Sequence, residues 1–308
     1  MLKKFEWADH DEWLAIRRQY IGGSDAGAIV GMSPYKSAYA LWAEKTGKTA
    51  EFEGNVTTEV GAYLEEFVAK MFERETGKKV RRCNFTLVND EYPWAEANVD
   101  RMVVGEDAIL EIKTTNSLPN MRMLKGGEFP DMWYCQMTHY LAVTGKAKAY
   151  LAVLVNCREF KTFELERDEE EIASLMAAES RFWDCVKNNV PPALDGSAST
   201  SDTINALYPE SDGSECSLLA FGAELRRYTE LGQRIKDLKA EQDEIANAIK
   251  AYMGASAKGE CDGFKVTYSS SERKTFDTKG FAAAHPGEDL SGYYKVTAVR
   301  TFKVTERK

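Results

Sequence analysis

The chain predicts an α/β fold, with a mixed central sheet flanked by helices and a C-terminal extension of one long helix and a small β unit. Three observations carry that expectation. Apolar runs of strand length, Ala95 to Val104, Ala108 to Thr115, Tyr150 to Asn156 and Phe160 to Leu165, alternate with stretches whose apolar residues recur at helical spacing. Asn189-Val-Pro-Pro stops the last of those helices, and 193–216 is rich in Ser, Thr, Asp and Gly. Beyond it, apolar residues return in alternating three- and four-residue steps. The expected boundaries are 1–192 for the main domain, 193–216 for a linker and 217–308 for the extension.

Near the N-terminus, Ile21-Gly-Gly-Ser-Asp25 places glycines before a helix, where a Ser or Asp caps the first turn. Backbone N–H groups at such a turn also suit an anion, and Arg17 with the Ser24 hydroxyl would give a phosphate a charged and a neutral donor. Plain capping and an anion cradle both fit these residues. No Gly-Lys-Ser/Thr follows, which excludes a triphosphate-binding loop of that type. Next, Gly61 to Phe72 reads as a helix burying Leu64, Phe67, Val68, Met71 and Phe72, with Glu65 at the edge of the stripe. Lys78-Lys-Val-Arg-Arg82 is either a solvated turn and strand start or a phosphate contact.

The runs Ala95 to Val104 and Ala108 to Thr115 make a hairpin through Gly105-Glu-Asp107. Side-chain alternation then puts Glu111 and Lys113 on one face and Leu110 and Ile112 on the other. Asp100 interrupts the first run and approaches Glu111 across the hairpin. Alone, Glu-x-Lys on a strand is a common solvated pair of about 0 to 1 kcal/mol. Two carboxylates with a backbone carbonyl, that of Ile112, instead make a hard-oxygen site for Mg²⁺ or Mn²⁺, suited to metal-assisted phosphodiester hydrolysis. Downstream, Tyr134 to Val143 is a largely apolar helix carrying Gln136.

After the strands Tyr150 to Asn156 and Phe160 to Leu165, an amphipathic helix runs from Asp168 to about Asn188, its start acid-rich as the helix dipole favours. Leu218 to Met253 is a long helix with Tyr228, Leu231, Ile235, Leu238, Gln242, Ile245, Ile249 and Tyr252 on one seam. It is an oligomerisation or partner arm, or a helix packed on its own domain. The runs Gly263 to Ser269 and Gly292 to Thr305 alternate in β fashion, as antiparallel strands with polar outer faces or as a DNA contact through interleaved aromatics and bases.

Composition narrows the class. With 308 residues and 44% hydrophobic content there is material for a substantial core plus an appended unit. No apolar run reaches membrane-spanning length and the opening residues lack the apolar centre of a signal peptide, so a cytoplasmic location is expected. Six cysteines scattered without a CxxC pair argue against structural zinc and an iron–sulfur cluster, and for reduced, buried thiols. A net charge of −9 opposes nucleic-acid binding on average. The acids concentrate at 164–171 and 210–244, however, whereas Arg17, Arg18, Lys45, Lys48 and the 78–82 cluster lie in the part that carries Asp100 and Glu111.

Over roughly residues 10–160 the chain resembles the YqaJ-type viral recombinases, which group with the lambda-type phage exonucleases among restriction-endonuclease-like (PD-(D/E)XK) nucleases. The resemblance rests on motifs in order: Trp13 to Arg17, Ile21 to Tyr35, Leu41 to Gly47, Gly61 to Glu66, Asp100, Glu111-Ile-Lys113 and Gln136. It implies a restriction-endonuclease-like core in which Glu65, Asp100 and Glu111 surround divalent metals. It also implies that Lys113 orients or activates the attacking water, that Gln136 lines the site, and that Arg17 and Ser24 grip a terminal 5′-phosphate. The activity implied is Mg²⁺-dependent, with Mn²⁺ as the alternative ion: 5′ to 3′ exonuclease resection of double-stranded DNA ends, feeding a RecT/Redβ-type single-strand annealing protein in phage recombination. A homo-oligomer, a trimeric ring in lambda-type relatives, and a bacterial host cytoplasm are implied with it. An endonuclease of the same fold and a non-catalytic DNA-binding or assembly module are the competing readings.

Overall fold

A computed structural model describes residues 1–50, 54–289, 291–295 and 300–305. The chain forms two compact units, Met1–Tyr208 and Pro209–Lys308. The first runs β1 (Leu2–Phe5), α1 (His10–Arg17), β2 (Ile21–Gly22), α2 (Gly23–Ile29), α3 (Ala38–Lys45), α4 (Val56–Thr76), β3 (Val80–Arg82), β4 (Thr86–Asn89), β5 (Ala95–Ala97), β6 (Arg101–Val103) and β7 (Ala108–Thr115). It continues with α5 (Leu118–Gly126), α6 (Asp131–Thr144), β8 (Lys148–Val155), β9 (Glu159–Glu166), α7 (Glu169–Lys187) and α8 (Ala198–Leu207).

One sheet has the order β3-β6-β7-β8-β9 and the other β1-β4-β5-β2. Both are mixed: only β7–β8 in the first and β2–β5 in the second pair in parallel. The crossover from β7 to the parallel β8 runs through α5 and α6, as a parallel pair requires. Helix α4 is capped by Asn55, whose Oδ1 accepts from the Thr58 N–H at 3.1 Å, and ends at Gly77 with φ 72°, a left-handed position that favours glycine. Its Val68, Ala69 and Phe72 pack on Leu110, Ile112, Tyr150 and Ala152, one face of the five-stranded sheet. The opposite face, Ile109, Leu151 and Val153, packs on Met137 and Leu141 of α6 and Ile172 of α7. The α/β fold and the mixed sheet therefore follow the sequence pattern.

Several expectations are corrected. The run Ala95 to Val104 is not one strand: β5 belongs to the four-stranded sheet and β6 to the other, with Asn98 to Asp100 crossing between them. The hairpin holds only from Arg101, which pairs with Leu110. Phe67, assigned to the buried stripe of α4, is 52% exposed, because the α4 stripe centres on Val68, Ala69 and Phe72. The stretch 193–216 contains α8, and the first unit extends to Tyr208. Short hydroxyl side chains make that possible by bonding one another: Thr200 Oγ1 donates to Ser37 Oγ at 2.8 Å, and the Ser37 N–H to Ser199 Oγ at 3.0 Å. Of the six thiols only Cys135 is buried; Cys157, Cys216 and Cys261 are exposed. Lys79 and Arg82 pair with Glu73 and Glu66 at 3.4 and 3.0 Å, and Lys78 pairs with Glu106, so the 78–82 cluster is a strand start held by acids.

The second unit holds α9 (Gly222–Met253), the β10–β11 hairpin (Lys258–Cys261 and Phe264–Thr267) and α10 (Thr278–Ala284). The long helix and the first β run match the sequence reading. In the second β run, Ser291–Tyr293 is a 3₁₀ turn, 296–299 lie outside the described residues, and 300–305 carry no strand.

Candidate active site

Breaking the strand at Asn98 to Asp100 places the first carboxylate. Because β6 starts at Arg101, β7 has no partner on that edge beyond Leu110. The peptide groups of Ile112 face this open edge, since those of its neighbours on either side are committed to the parallel β8. The Ile112 N–H donates to Asp100 Oδ2 at 2.7 Å, so the aspartate side chain takes the position of the missing strand. The Ile112 carbonyl lies on the same edge, among the residues lining the cavity.

Glu111 and Lys113 project from the β7 face covered by α6, as alternation predicts. Glu111 is 3% exposed. Its Oε1 accepts from Gln136 Nε2 at 2.8 Å and lies 2.7 Å from Lys113 Nζ, and Lys113 Nζ also donates to Gln136 Oε1 at 2.8 Å. Gln136 thus locks the acid and the lysine to one helix, and its Nε2 further donates to the Tyr140 hydroxyl at 3.1 Å, one helical turn on. Glu111 Oε2 is buried with no hydrogen-bond partner. Burial raises the carboxyl pKa of Glu111, opposed by Lys113; burial and then the charge of Glu111 raise that of Asp100 well above its ordinary value. Two desolvated acids served by one lysine, with an unsatisfied carboxylate oxygen between them, fit a hard divalent cation held by Asp100, Glu111 and the Ile112 carbonyl.

Glu65, the third carboxylate expected among the ligands, belongs to the same site. It lines the same cavity, and its charge acts on both Asp100 and Glu111, but its Oε1 accepts from Arg101. Arg101 is 3% exposed, also bonds Glu66 at 3.2 Å and the Asp100 carbonyl at 2.7 Å, and so ties α4 to the start of β6. Among the described residues no three His, Cys, Asp or Glu side chains stand together as an ion-binding group.

Arg17 and Ser24 are brought together. Arg17 Nη2 donates to Ser24 Oγ at 2.6 Å. Capping falls to Asp25 instead of Ser24: its Oδ2 accepts from the Gly22 N–H at 3.1 Å, leaving Ser24 exposed in the first turn. Lys45 sits 3.0 Å from Asp25, and despite burial, Lys45 and Arg17 hold the Asp25 carboxyl down at about 2. Arg17 and Ser24 share one cavity of about 460 Å³ with Glu65, Asp100, Glu111 and Lys113. Thr57, Thr58, Lys113 and Thr114 also line a second cavity of about 1020 Å³.

Sequence reading missed Arg101, Tyr140 and Glu96. Tyr140 was legible as the i+4 neighbour of Gln136. Glu96 stood hidden between two alanines of β5. It is 2% exposed, lines the cavity, accepts from Asn98 Nδ2 at 2.6 Å, and is pushed up to about 7 by burial, against the opposing charge of Arg17. A carboxyl raised in the folded state lends stability that is intact below the unfolded pKa and lost as pH rises through the folded one. Glu96→Gln should therefore flatten the decline of the melting midpoint between about pH 4.5 and pH 7, measured by scanning calorimetry. The residual slope belongs in part to His139, also raised, whose Nδ1 lies 2.8 Å from Glu179.

Residues 12–147 match the model of the YqaJ-like viral recombinase domain. The uncharacterized protein YqaJ of Bacillus subtilis (strain 168) is 36% identical over 99% of this chain and 97% of its own length. Among solved structures, the alkaline exonuclease LHK-Exo of Laribacter hongkongensis superposes with a TM-score of 0.52 at 21% identity, over 59% of this chain and 94% of that one. The same enzyme in complex with dAMP superposes equally, with a TM-score of 0.52.

Proposed function

The chain belongs to the YqaJ family of viral recombinase-domain proteins, and from that premise we propose that it is a metal-dependent DNA exonuclease resecting double-stranded ends 5′ to 3′. The observation carrying this reading is that one cavity holds both the Asp100–Glu111–Lys113–Gln136 cluster and the Arg17–Ser24 pair. A phosphodiesterase needs the first alone; an enzyme that starts from a phosphorylated end needs both.

Asp100, Glu111 and the Ile112 carbonyl would hold Mg²⁺, or Mn²⁺ in its place. When bound, the ion supplies a water of lowered pKa and neutralises charge on the phosphoryl oxygens. Lys113, fixed between Glu111 and Gln136, presents its ammonium to the attacking water and to negative charge developing on the phosphate. Arg17 and Ser24 offer a charged and a neutral donor to the terminal 5′-phosphate, setting which bond lies over the carboxylates. Glu65, whose Oε1 accepts from Arg101, would turn its other carboxylate oxygen to the same ion. The single strand left by such an enzyme suits a RecT/Redβ-type annealing protein as the next partner. No helix among the described residues is long and apolar enough to cross a membrane.

Linear duplexes with 5′-phosphate or 5′-hydroxyl ends, beside a closed circle, test the reading in Mg²⁺ and in EDTA. The wild type should degrade the phosphorylated linear duplex fastest, leave the circle intact and stop in EDTA, and Arg17→Ala should erase the preference for 5′-phosphate. Cutting of the circle would turn the reading to an endonuclease. Binding without cleavage under either metal would turn it to an assembly module.

A further inference from the structure

Helix α9 carries a long, largely exposed apolar stripe, which Phe302 meets edge-on at Tyr228 with ring centroids 5.6 Å apart. Leu231, Ile235, Leu238, Ile245 and Ile249 are between 41% and 68% exposed, and no residue of this 32-residue helix is buried. The stripe follows a seven-residue repeat, with Tyr228, Ile235, Gln242 and Ile249 at one seam position and Leu231, Leu238, Ile245 and Tyr252 at the other. Such a stripe on a helix about 48 Å long is the geometry of a two-helix seam.

The charges beside the seam select among the ways two copies can pair. Arg227, Arg234 and Glu241 precede the first seam position, and Gly232, Lys239 and Ala246 follow the second. In a parallel, in-register pair, opposite kinds of flank meet, and Arg234 of each helix faces Lys239 of the other. Turning one helix over brings like flanks together. With Ile235 opposite Leu238, Arg234 then faces Glu241 at two symmetry-related places, and Lys239 faces Gly232. Sliding that pair by one repeat in one direction sets Glu241 against Glu241 and Lys239 against Lys239. Sliding it in the other sets Arg234 against Arg234. Among the described residues Lys239 is already paired with Asp243 of its own helix at 2.8 Å, whereas Arg234 and Glu241 make no ion pair.

We propose that α9 is a dimerisation arm that pairs antiparallel with α9 of a second copy of this chain, with Ile235 opposite Leu238 and Arg234 opposite Glu241 across the seam. This register also sets Tyr228 against Ile245 and Phe221 against Tyr252, with Gln242 opposite Leu231 and Glu224 opposite Ile249 between those layers. The proposal stands independently of the nuclease reading.

Sedimentation velocity of the full chain over a range of concentrations and salt tests it, with circular dichroism to confirm that each variant keeps its helix. The wild type should associate into even-numbered species. Arg234→Glu and Glu241→Arg should each weaken association about 10-fold or more, an effect of about 1.4 kcal/mol that fades at high salt. The double variant Arg234→Glu with Glu241→Arg should restore it, and Ile235→Glu with Leu238→Glu should abolish it. A wild type that stays monomeric overturns the proposal, as does association untouched by the Glu pair. Single charge variants without rescue, or Arg234→Glu chains that associate more tightly, overturn the antiparallel register.

Discussion

Asp100→Asn is expected to abolish metal-dependent DNA cleavage while making the metal-free protein more stable. The loss follows from removing one of two carboxylates that converge at the open edge of β7: several kcal/mol of transition-state stabilisation is on the order of a 10³-fold fall in rate. The gain follows from the same electrostatics. Burial and the neighbouring Glu111 raise the Asp100 carboxyl well above its ordinary value, so ionising it at neutral pH costs the folded state. Asparagine carries no charge, and its side-chain oxygen can still accept from the Ile112 N–H that Asp100 now holds at 2.7 Å. Without divalent ions, the wild-type melting midpoint should fall as pH rises from the acid range to neutrality, and the variant should melt a few degrees higher at pH 7.5. Mg²⁺ should raise the wild-type midpoint and leave that of Asp100→Asn nearly unmoved. A variant that melts lower than wild type without metal would refute this account of the pair, whatever its activity.

Gly23→Ala should damage fold and site together. A Cβ at position 23 would lie 2.4 Å from Tyr140 Cε1 and within 2.9 Å of two further ring carbons. The ring cannot swing aside, because Tyr140 is 5% exposed and packs edge-on against His139 at 5.9 Å. Overpacking of this kind costs about 1–3 kcal/mol, or roughly 2–12 °C in a unit of this size. The Tyr140 hydroxyl accepts from Gln136, which fixes both Glu111 and Lys113, so a displaced ring also moves the lysine. Cleavage should fall by about 10²-fold, as expected for a shift near 1 Å in a reacting group. Combining Gly23→Ala with Tyr140→Leu should recover part of the lost stability. A Gly23→Ala protein that melts like wild type would show that the two positions do not press on each other.

These two residues mark the limit of what the chain discloses as a string. Glu111 and Lys113 were placed on one face by alternation alone, and the helix of Gln136 was legible from its apolar content. The Arg17–Ser24 pair was legible too, since α1 and α2 are close in sequence. Glu65 was read as a metal ligand on a family likeness; that one of its oxygens accepts from Arg101, a contact between α4 and β6 that spans 36 residues, was not legible. The Gly-Gly step was read as a helix start that is capped or receives an anion; the close approach of a tyrosine ring from α6 to Gly23 was not legible. Chain 193–216 was read as linker because Ser and Thr favour loops, but Ser37, Ser199 and Thr200 satisfy one another and bury α8.

By itself the sequence determined the local alternation: which side chains share a face of a strand or helix, hence the acid–lysine pair on β7, the packed stripe of α4 and the heptad of α9. Only the tertiary structure decided where β5 ends and β6 begins, which acid reaches the edge of β7 and which is held by Arg101. Periodicity is a property of neighbouring residues, whereas pairing of buried charges depends on elements brought together by burying their apolar faces, and no spacing along the chain encodes that approach.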